Sequence, residues 1–270
     1  MNDAEFALLA KILKDRSGLI LGDNKTYLLE SRLVPVAKKH DLTDLEGLVA
    51  AVKNRPSENL LFDITEAMTT NESFFFRDNT PFDTFKEHTL PSLLESCASR
   101  KHIRIWSAAC STGQEAYSLA MILKENAAKL AGWRIEIVGT DLSPKVLEKA
   151  KAGVYSQFEV QRGLPVQYLV KYFSQVNELW QIDASIRAMV SFRPGNLLED
   201  FKSMGAFDVV FCRNVLIYFE RDTKSEVLAR ISNQMPDQGV LFLGGAETVL
   251  GVSDEFKPIP GQRGVYMIDR

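Results

Sequence analysis

The chain has 270 residues, 46% hydrophobic, 25% charged and 10% aromatic, the balance of a globular protein with room for one large domain or two smaller ones. A formal charge of −3 argues against a protein whose main work is gripping a phosphate backbone, so no nucleic-acid partner is expected. Cys97, Cys110 and Cys212 lie far apart without a C-x-x-C pairing, and with only three histidines to help, neither a disulfide framework nor a metal site is predicted.

The N-terminal stretch "MNDAEFALLAKILKDRSG" has acidic residues where a signal peptide needs positive ones, and Lys11 and Lys14 interrupt its apolar residues. Nothing later resembles an uninterrupted apolar span of about 20 residues. The expected compartment is the reducing cytoplasm, without direct membrane insertion. From residue 3 to about 70 the pattern is helical, beginning with Phe6, Leu9, Ala10 and Leu13 at i, i+3, i+4 and i+7. Four short helices fit. Asn24 is the cap candidate of the second, Thr43 with Glu46 forms a candidate capping box for the third, and Ser57 is the cap candidate of the fourth. Pro35 is expected to kink or divide the second helix.

Residues 71–80, "NESFFFRDNT", fit neither strand nor helix periodicity. They read as a linker whose three rings, Phe74, Phe75 and Phe76, point into different surfaces and anchor it to both flanking domains. After a further helix, "PFDTFKEHTLPSLLESCAS", short β-branched and aromatic runs alternate with helices. The runs at 103–109, 134–141, 189–196, 207–214 and 239–247 read as buried strands, and the stretches 113–130, 143–153 and 223–235 read as helices. This alternation predicts an α/β domain with a mostly parallel sheet and a ligand crevice at the strands' carboxyl ends. "FSQVNELWQIDASIRA", just beyond Tyr172, breaks the alternation and reads as a small antiparallel lobe, while the final "FKPIPGQRGVYMID" reads as a hairpin-like return to the sheet.

The first strand runs into "SAACSTGQEAYS", a turn of small residues that lets backbone N–H groups approach a ligand at a helix N-terminus. Two glycines of G-x-G-x-x-G are missing, so a dinucleotide is weakly supported and an ordinary strand-to-helix turn remains open. Asp141 ends the second strand, where a carboxylate can accept ribose hydroxyls or cap the next helix. Asn196 and Asn214 end the third and fourth strands. Glu115 opens the helix after the turn, a poor neighbour for phosphate but a good one for a ligand carrying an ammonium and a sulfonium. The chemistry favours S-adenosylmethionine over a nicotinamide dinucleotide.

With "NESFFFR", "IRIWSAACSTGQEAYSLAM", "GTDLS", "FDVVFCRNVLIYF" and "LFLGGAE" assembled, the chain resembles, over nearly its whole length, the CheR-type chemotaxis receptor glutamate methyltransferases. The resemblance implies a class I S-adenosylmethionine-dependent methyltransferase fold, Rossmann-like, with an all-α N-terminal domain and a small antiparallel β subdomain. It places a receptor-docking domain at 1–70, a linker carrying site residues at 71–90 and the methyltransferase domain at 91–270, with the β subdomain near 173–188. The implied reaction moves a methyl group from S-adenosylmethionine to glutamate side chains of methyl-accepting chemotaxis receptors, leaving S-adenosylhomocysteine. Carried onto matching positions, the family's cofactor contacts fall on Asn71, Ser73, Arg77, Glu115, Asp141, Asn196, Leu197, Asn214 and Val215. Its tyrosine near the methyl group matches Tyr218.

A glutamate carboxylate is already ionised at neutral pH, so its methylation needs alignment and no general base. Arg77 is expected to orient that carboxylate, and Tyr218 to supply a hydroxyl and a ring beside the methyl group. The alternatives are an Arg77 salt bridge to Asp78 or Glu72 and simple packing of Tyr218. The helix at 24–40, with Lys25, Arg32, Lys38 and Lys39 against Glu30, matches the family's receptor-facing helix, although such charges also suit an ordinary solvated face. The short, glycine-free connection in the β lobe argues against the strong pentapeptide-tether binding found in some relatives, and a monomer is expected. The competing readings are a nucleic-acid base methyltransferase, which lacks its proline-containing turn here, and a non-catalytic cofactor-binding adaptor.

Overall fold

The computed structural model describes residues 2–22 and 25–270. The chain divides into two compact units, one comprising the chain up to Thr70 with Tyr218–Thr223, the other Asn71–Ile217 with Lys224–Arg270.

The first unit holds α1 (Asp3–Ser17), α2 (Thr26–Lys39), α3 (Leu45–Asn54) and α4 (Glu58–Met68). A reciprocal capping box starts α1: the Asn2 side chain accepts the Glu5 N–H and the Glu5 carboxylate accepts the Asn2 N–H, both at 3.0 Å. Gly18, in the left-handed region at φ 74°, ends it. Leu9, Leu13, Leu29, Leu33, Leu48 and Ile64 are fully buried between the helices. The cap expected at Asn24 lies outside the described residues. The third helix starts one residue later than the Thr43 capping box requires: the Asp44 carboxylate, a stronger acceptor, takes the Gly47 N–H at 2.8 Å. Ser57 caps α4 as expected. Pro35 does not divide α2, which runs unbroken to Lys39. Leu29, Leu33, Val36 and Ala37 of this helix are all buried, and that packing offsets the backbone hydrogen bond that proline cannot make.

In the second unit the strands are β1 (His102–Ala108), β2 (Arg134–Asp141), β3 (Val154–Ser156), β4 (Phe173–Val176), β5 (Leu179–Ile182), β6 (Val190–Pro194), β7 (Val209–Cys212), β8 (Val240–Leu243), β9 (Phe256–Pro258) and β10 (Val265–Ile268). Seven of them form one sheet in the order β6-β2-β1-β7-β8-β10-β9. Its first five are mutually parallel, while β10 runs antiparallel to both β8 and β9. The chain steps outward from β1 to β2 and β6 on one side, and from β7 to β8 on the other. The order therefore reverses between β1 and β7, the point where such sheets open a ligand crevice.

All four residues of β7 are buried, as expected for a parallel strand covered on both faces. Phe211 stands opposite Phe242 of β8 with ring centroids 4.3 Å apart, and burying each ring contributes about 1.5–3 kcal/mol. Several predicted strands end earlier than their apolar runs. The fifth is only Val240–Leu243, because the glycines that follow turn the chain, and Asn214 lies beyond the end of β7.

The helices are α5 (Thr80–Thr84) and α6 (Leu90–Ser96) joined through a π-helical turn, then α7 (Gln114–Glu125), α8 (Pro144–Ala152), α9 (Gln157–Gln161), α10 (Val166–Tyr172), α11 (Ala184–Arg187) and α12 (Arg221–Ser232). No helix among the described residues is long and apolar enough to cross a membrane.

The antiparallel lobe has three strands in the order β3-β5-β4. The predicted pieces supply β4 and β5, but β3 comes from Val154–Ser156, too short a run to register by alternation. Phe75 and Phe76 both enter the core of this second unit. Phe75 meets Tyr155 of β3 and Phe173 of β4 edge-on, at 5.0 and 5.5 Å between centroids. Phe76 stacks on Tyr168 of α10 at 5.3 Å, and its N–H donates to Ser118 Oγ of α7 at 3.0 Å. Phe74 stays half-buried beside the guanidinium groups of Arg162 and Arg77, 4.3 and 5.4 Å from its ring centroid. The expectation that these rings anchor the segment to both domains is thus corrected. Phe75 and Phe76 are buried in succession, which the left-handed φ of 50° at Phe76 permits by breaking any regular period, and both serve one core.

Candidate active site

The loop between β1 and α7 owes its shape to three left-handed residues, Ala109, Ser111 and Gly113, at φ 57°, 50° and 90°. Gly113 also needs its lack of a side chain, since a Cβ there would come within 2.9 Å of the Ala150 Cβ and 3.0 Å of the Phe192 ring. The loop turns around Asp141 at the end of β2. One Asp141 oxygen accepts the Ser111 N–H at 2.8 Å and the other the Ser143 N–H at 3.0 Å. Ser143, and not Asp141, caps α8.

Linker, loop and lobe are tied together by polar contacts. Ser111 Oγ donates to the Asn71 carbonyl at 2.8 Å, and the Tyr155 hydroxyl of β3 donates to the Thr112 carbonyl at 2.9 Å. Ser73 is half-buried on the same segment as Asn71. Arg77 Nη1 donates to the Glu72 carbonyl at 2.9 Å, while the Glu72 carboxylate pairs with Arg162 at 2.6 Å. The Arg162 hydrogen bond, with its charge, holds the Glu72 carboxyl below its usual value. Arg77 therefore closes its own turn through a backbone oxygen and makes neither of the two salt bridges that sequence suggested.

Glu115, in the first turn of α7, accepts from Ser107 Oγ at 2.8 Å and from Arg213 at 3.0 Å. Arg213 directly follows β7; its Nη1 is the donor to Glu115, and its Nη2 donates to the Arg77 carbonyl at 2.9 Å and to Asp78 at 2.7 Å. Burial pushes the Cys110 thiol in the same loop well up, with Asp141 and Glu115 adding to the effect, so it stands as a neutral packing group.

Beyond Arg213 the chain turns through Asn214, at φ 59°, toward a single 3₁₀ turn, Leu216–Tyr218. Glu247, at the end of "LFLGGAE", holds this turn. Its carboxylate accepts the N–H groups of Asn214, Val215, Gly244 and Ile217, at 2.8, 2.9, 2.6 and 3.3 Å. Asn196 Oδ1 accepts the Leu198 N–H at 3.1 Å just beyond β6, and Leu197 is buried beside it. Tyr218 groups with the helical unit, where its carbonyl accepts the Ile20 N–H at 3.0 Å.

Sequence reasoning missed Arg213 and Glu247. A charged residue flanked by buried strand residues, as in "VVFCRN", and a carboxylate just after two glycines were the available signals, since neither charge belongs in a core without partners.

The donor set fits a cationic nucleoside. Asp78, Glu115 and Asp141 gather near the carboxyl ends of β1, β2 and β7, where Arg213 is the cation bonded to two of them. Among the described residues no cluster of His, Cys, Asp and Glu could hold a metal ion.

Comparison with known proteins agrees with this chemistry. Residues 71–265 match the family described as CheR methyltransferase, SAM binding domain, and residues 4–69 match CheR methyltransferase, all-alpha domain. A chemotaxis protein methyltransferase of Vibrio anguillarum is 37% identical, covering 98% of this chain and 96% of that relative. Chemotaxis protein methyltransferase 1 of Pseudomonas aeruginosa is 39% identical, covering 97% of each. A counterpart from Borreliella burgdorferi is 31% identical over 92% of this chain and 89% of its own length. Acidic side chains at the sheet's switch point, a small antiparallel lobe and these matches together mean that the chain belongs to the CheR methyltransferase family of S-adenosylmethionine-dependent enzymes.

Proposed function

We propose that Asn71, Ser73, Arg77, Glu115, Asp141, Asn196, Leu197, Asn214 and Val215 hold S-adenosylmethionine, and that Arg77 and Tyr218 place the glutamate carboxylate that receives its methyl group. The reaction itself is that of the family: methyl esters are formed on glutamate side chains of methyl-accepting chemotaxis receptors. The bound cofactor supplies an electrophilic methyl group on a sulfonium. Everything else falls to the chain. Asp141, fixed by the Ser111 and Ser143 N–H groups, is suited to accept hydroxyl donors, and Glu115 to face positive charge.

Arg77 acts by positioning. Its Nη1 is engaged by the Glu72 carbonyl, a neutral acceptor, which leaves the guanidinium charge available to an incoming carboxylate. Full neutralisation of the nucleophile would slow transfer, so a loosely held carboxylate is the productive arrangement. Arg77 and Tyr218 need only align the two reactants, since alignment can offset about 7–11 kcal/mol of barrier in favourable cases.

Residues 1–70 serve as the receptor-docking domain, 71–90 as the linker that carries site residues, and 91–270 as the catalytic domain. Of the basic residues on α2 and at its N-cap (Lys25), Arg32 donates to the Met68 and Thr69 carbonyls at 2.9 and 3.1 Å, and Lys39 pairs with Asp63 at 2.8 Å. Lys25 and Lys38 are exposed and are the better candidates to meet an acidic receptor helix. The receptor's methylation region places this work in the cytoplasm. The β4–β5 turn is only Asn177–Glu178, which supports the absence of strong tether binding.

The observation that carries this reading is the meeting of the Asp141-centred loop, Glu115 and the linker turn at the carboxyl ends of the central strands. The test incubates the full chain with methyl-labelled cofactor and a receptor cytoplasmic fragment, then adds alkali. Release of labelled methanol reports carboxyl esters. Alkali-stable label would indicate N-methylation, and no transferred label would indicate an adaptor.

A further inference from the structure

We propose that Arg213 is a positioning residue whose buried charge lowers the site's affinity for the cationic methyl donor relative to the neutral product. Its side chain is 1% exposed and ties α7 to the linker through Glu115, the Arg77 carbonyl and Asp78. Its guanidinium carbon also lies 5.6 Å from the Phe82 ring centroid. A buried arginine is retained only where its charge is matched, and here two carboxylates share one cation. The cluster is left with one net negative charge, whereas without Arg213 it would carry two.

Donor and product share the same nucleoside and amino-acid groups and differ by the positive charge on sulfur. Their affinity ratio therefore isolates the field felt at that sulfur. A more negative site would grip the sulfonium harder before transfer than in the transition state, where that charge is being lost, and such ground-state binding does not accelerate chemistry. By sharing Glu115 and Asp78, Arg213 keeps the site from over-stabilising the donor. The same fork fixes the Arg77 carbonyl, so charge balance and linker geometry are set by one side chain.

This inference rests on the placement of Glu115 beside the donor proposed above. The experiment is calorimetry on the full chain with S-adenosylmethionine and S-adenosylhomocysteine, read as the ratio of product Kd to donor Kd. Arg213→Met removes the cation and should raise that ratio about tenfold, the usual effect of one nearby charge, even though both affinities fall as Glu115 and the linker loosen. Asp78→Asn removes an anion and should lower the ratio roughly two- to threefold, a smaller change because its side chain is 51% exposed. Asparagine tolerates the left-handed φ of 70° at position 78, so this variant keeps the test alive if Arg213→Met does not fold. Opposite movements of the ratio in the two variants, or its fall in Asp78→Asn alone when the other is unfolded, support the proposal. A ratio unchanged in either folded variant, or moving the same way in both, overturns it. Glu115→Gln separates the two levels: an unchanged ratio there refutes the placement of Glu115, whereas a lowered ratio with Arg213→Met inert refutes only the role of Arg213.

Discussion

Glu247 and Asn214 are joined by a hydrogen bond from the Asn214 N–H to a Glu247 carboxylate oxygen at 2.8 Å, and that same oxygen takes the Gly244 N–H. With its second oxygen on Val215 and Ile217, one nearly buried side chain shapes the backbone of two proposed cofactor contacts. Glutamine at 247 would keep the shape but turn an NH₂ group toward backbone donors. Glu247→Gln should destabilise the chain by about 1–3 kcal/mol in urea titration, the cost of leaving buried donors unmet. It should also weaken S-adenosylhomocysteine binding roughly tenfold in calorimetry, the equivalent of one lost hydrogen bond. Unchanged affinity in a folded variant would remove Glu247 from the site's support.

The loop between α9 and α10 makes a second close approach to the linker. Gly163 sits at φ 82°, and a Cβ there would lie 2.1 Å from the Phe75 carbonyl oxygen. Gly163→Ala should cost more than about 1–2 kcal/mol of stability, the penalty of the left-handed region alone. Turnover should fall as well, because the displaced segment carries Arg77. Gly245→Ala, with open space around its Cβ position, is the control and should leave both measurements near wild type.

The contrast between these two glycines shows where the sequence was informative. The parallel strands were legible because their apolar runs had to be buried on both faces, and the rim residues Asp141, Asn196 and Asn214 followed from strand ends. The Phe74–Phe76 cluster was legible only as an anomaly. Its partners, Tyr155, Phe173 and Tyr168, lie some 80 to 100 residues away, and no local period encodes such a meeting. Arg213 and Glu247 were hidden for a related reason: each is explained by backbone groups or charges brought to it by the fold, so in sequence each looked like an isolated charge. The cap at Asp44 was missed by one residue because Thr43 and Asp44 are both good caps, and which one wins depends on how α3 packs.

Asp63 offers a test by pH. Burial alone would raise its pKa, but hydrogen bonds from Lys39 and His40 outweigh that and hold it below the ordinary value. A carboxyl whose folded pKa is depressed stabilises the fold above its unfolded pKa and loses that contribution as pH falls through the folded one. Asp63→Asn should therefore weaken the helical unit by about 1–2 kcal/mol at pH 7, while below about pH 4 wild type and variant should converge. Amide exchange across α2 and α4 of the full chain would show whether the gap closes on acidification. A gap that widens instead would contradict this assignment.

The positioning role of Arg77 predicts a particular kinetic split. Arg77→Ala should lower kcat at saturating cofactor by about tenfold to a hundredfold, because it removes an aligning contact without changing the ionised nucleophile. Cofactor Kd should rise less than kcat falls. Arg77→Lys should recover only part of the rate, since a lysine has no second planar nitrogen to offer a carboxylate while one holds the Glu72 carbonyl. Wild-type turnover by Arg77→Ala would leave this arginine as a linker brace only. For Tyr218, an unchanged rate in Tyr218→Phe would leave the ring alone to matter.

The charges on α2 are not equivalent, and that difference tests receptor docking. Lys38 is exposed, whereas Arg32 is half-buried and satisfies two carbonyls at the C-terminal end of α4. Lys38→Glu combined with Lys25→Glu should slow receptor methylation severalfold, more so at low salt, while leaving thermal stability and cofactor affinity at wild-type values. Arg32→Glu should lower stability first, by about 1–3 kcal/mol, since it leaves those carbonyls without their donor and puts a carboxylate against them. If the two lysine reversals together left methylation unchanged at low salt, the basic face of α2 would be a solvated surface and the receptor would have to dock elsewhere.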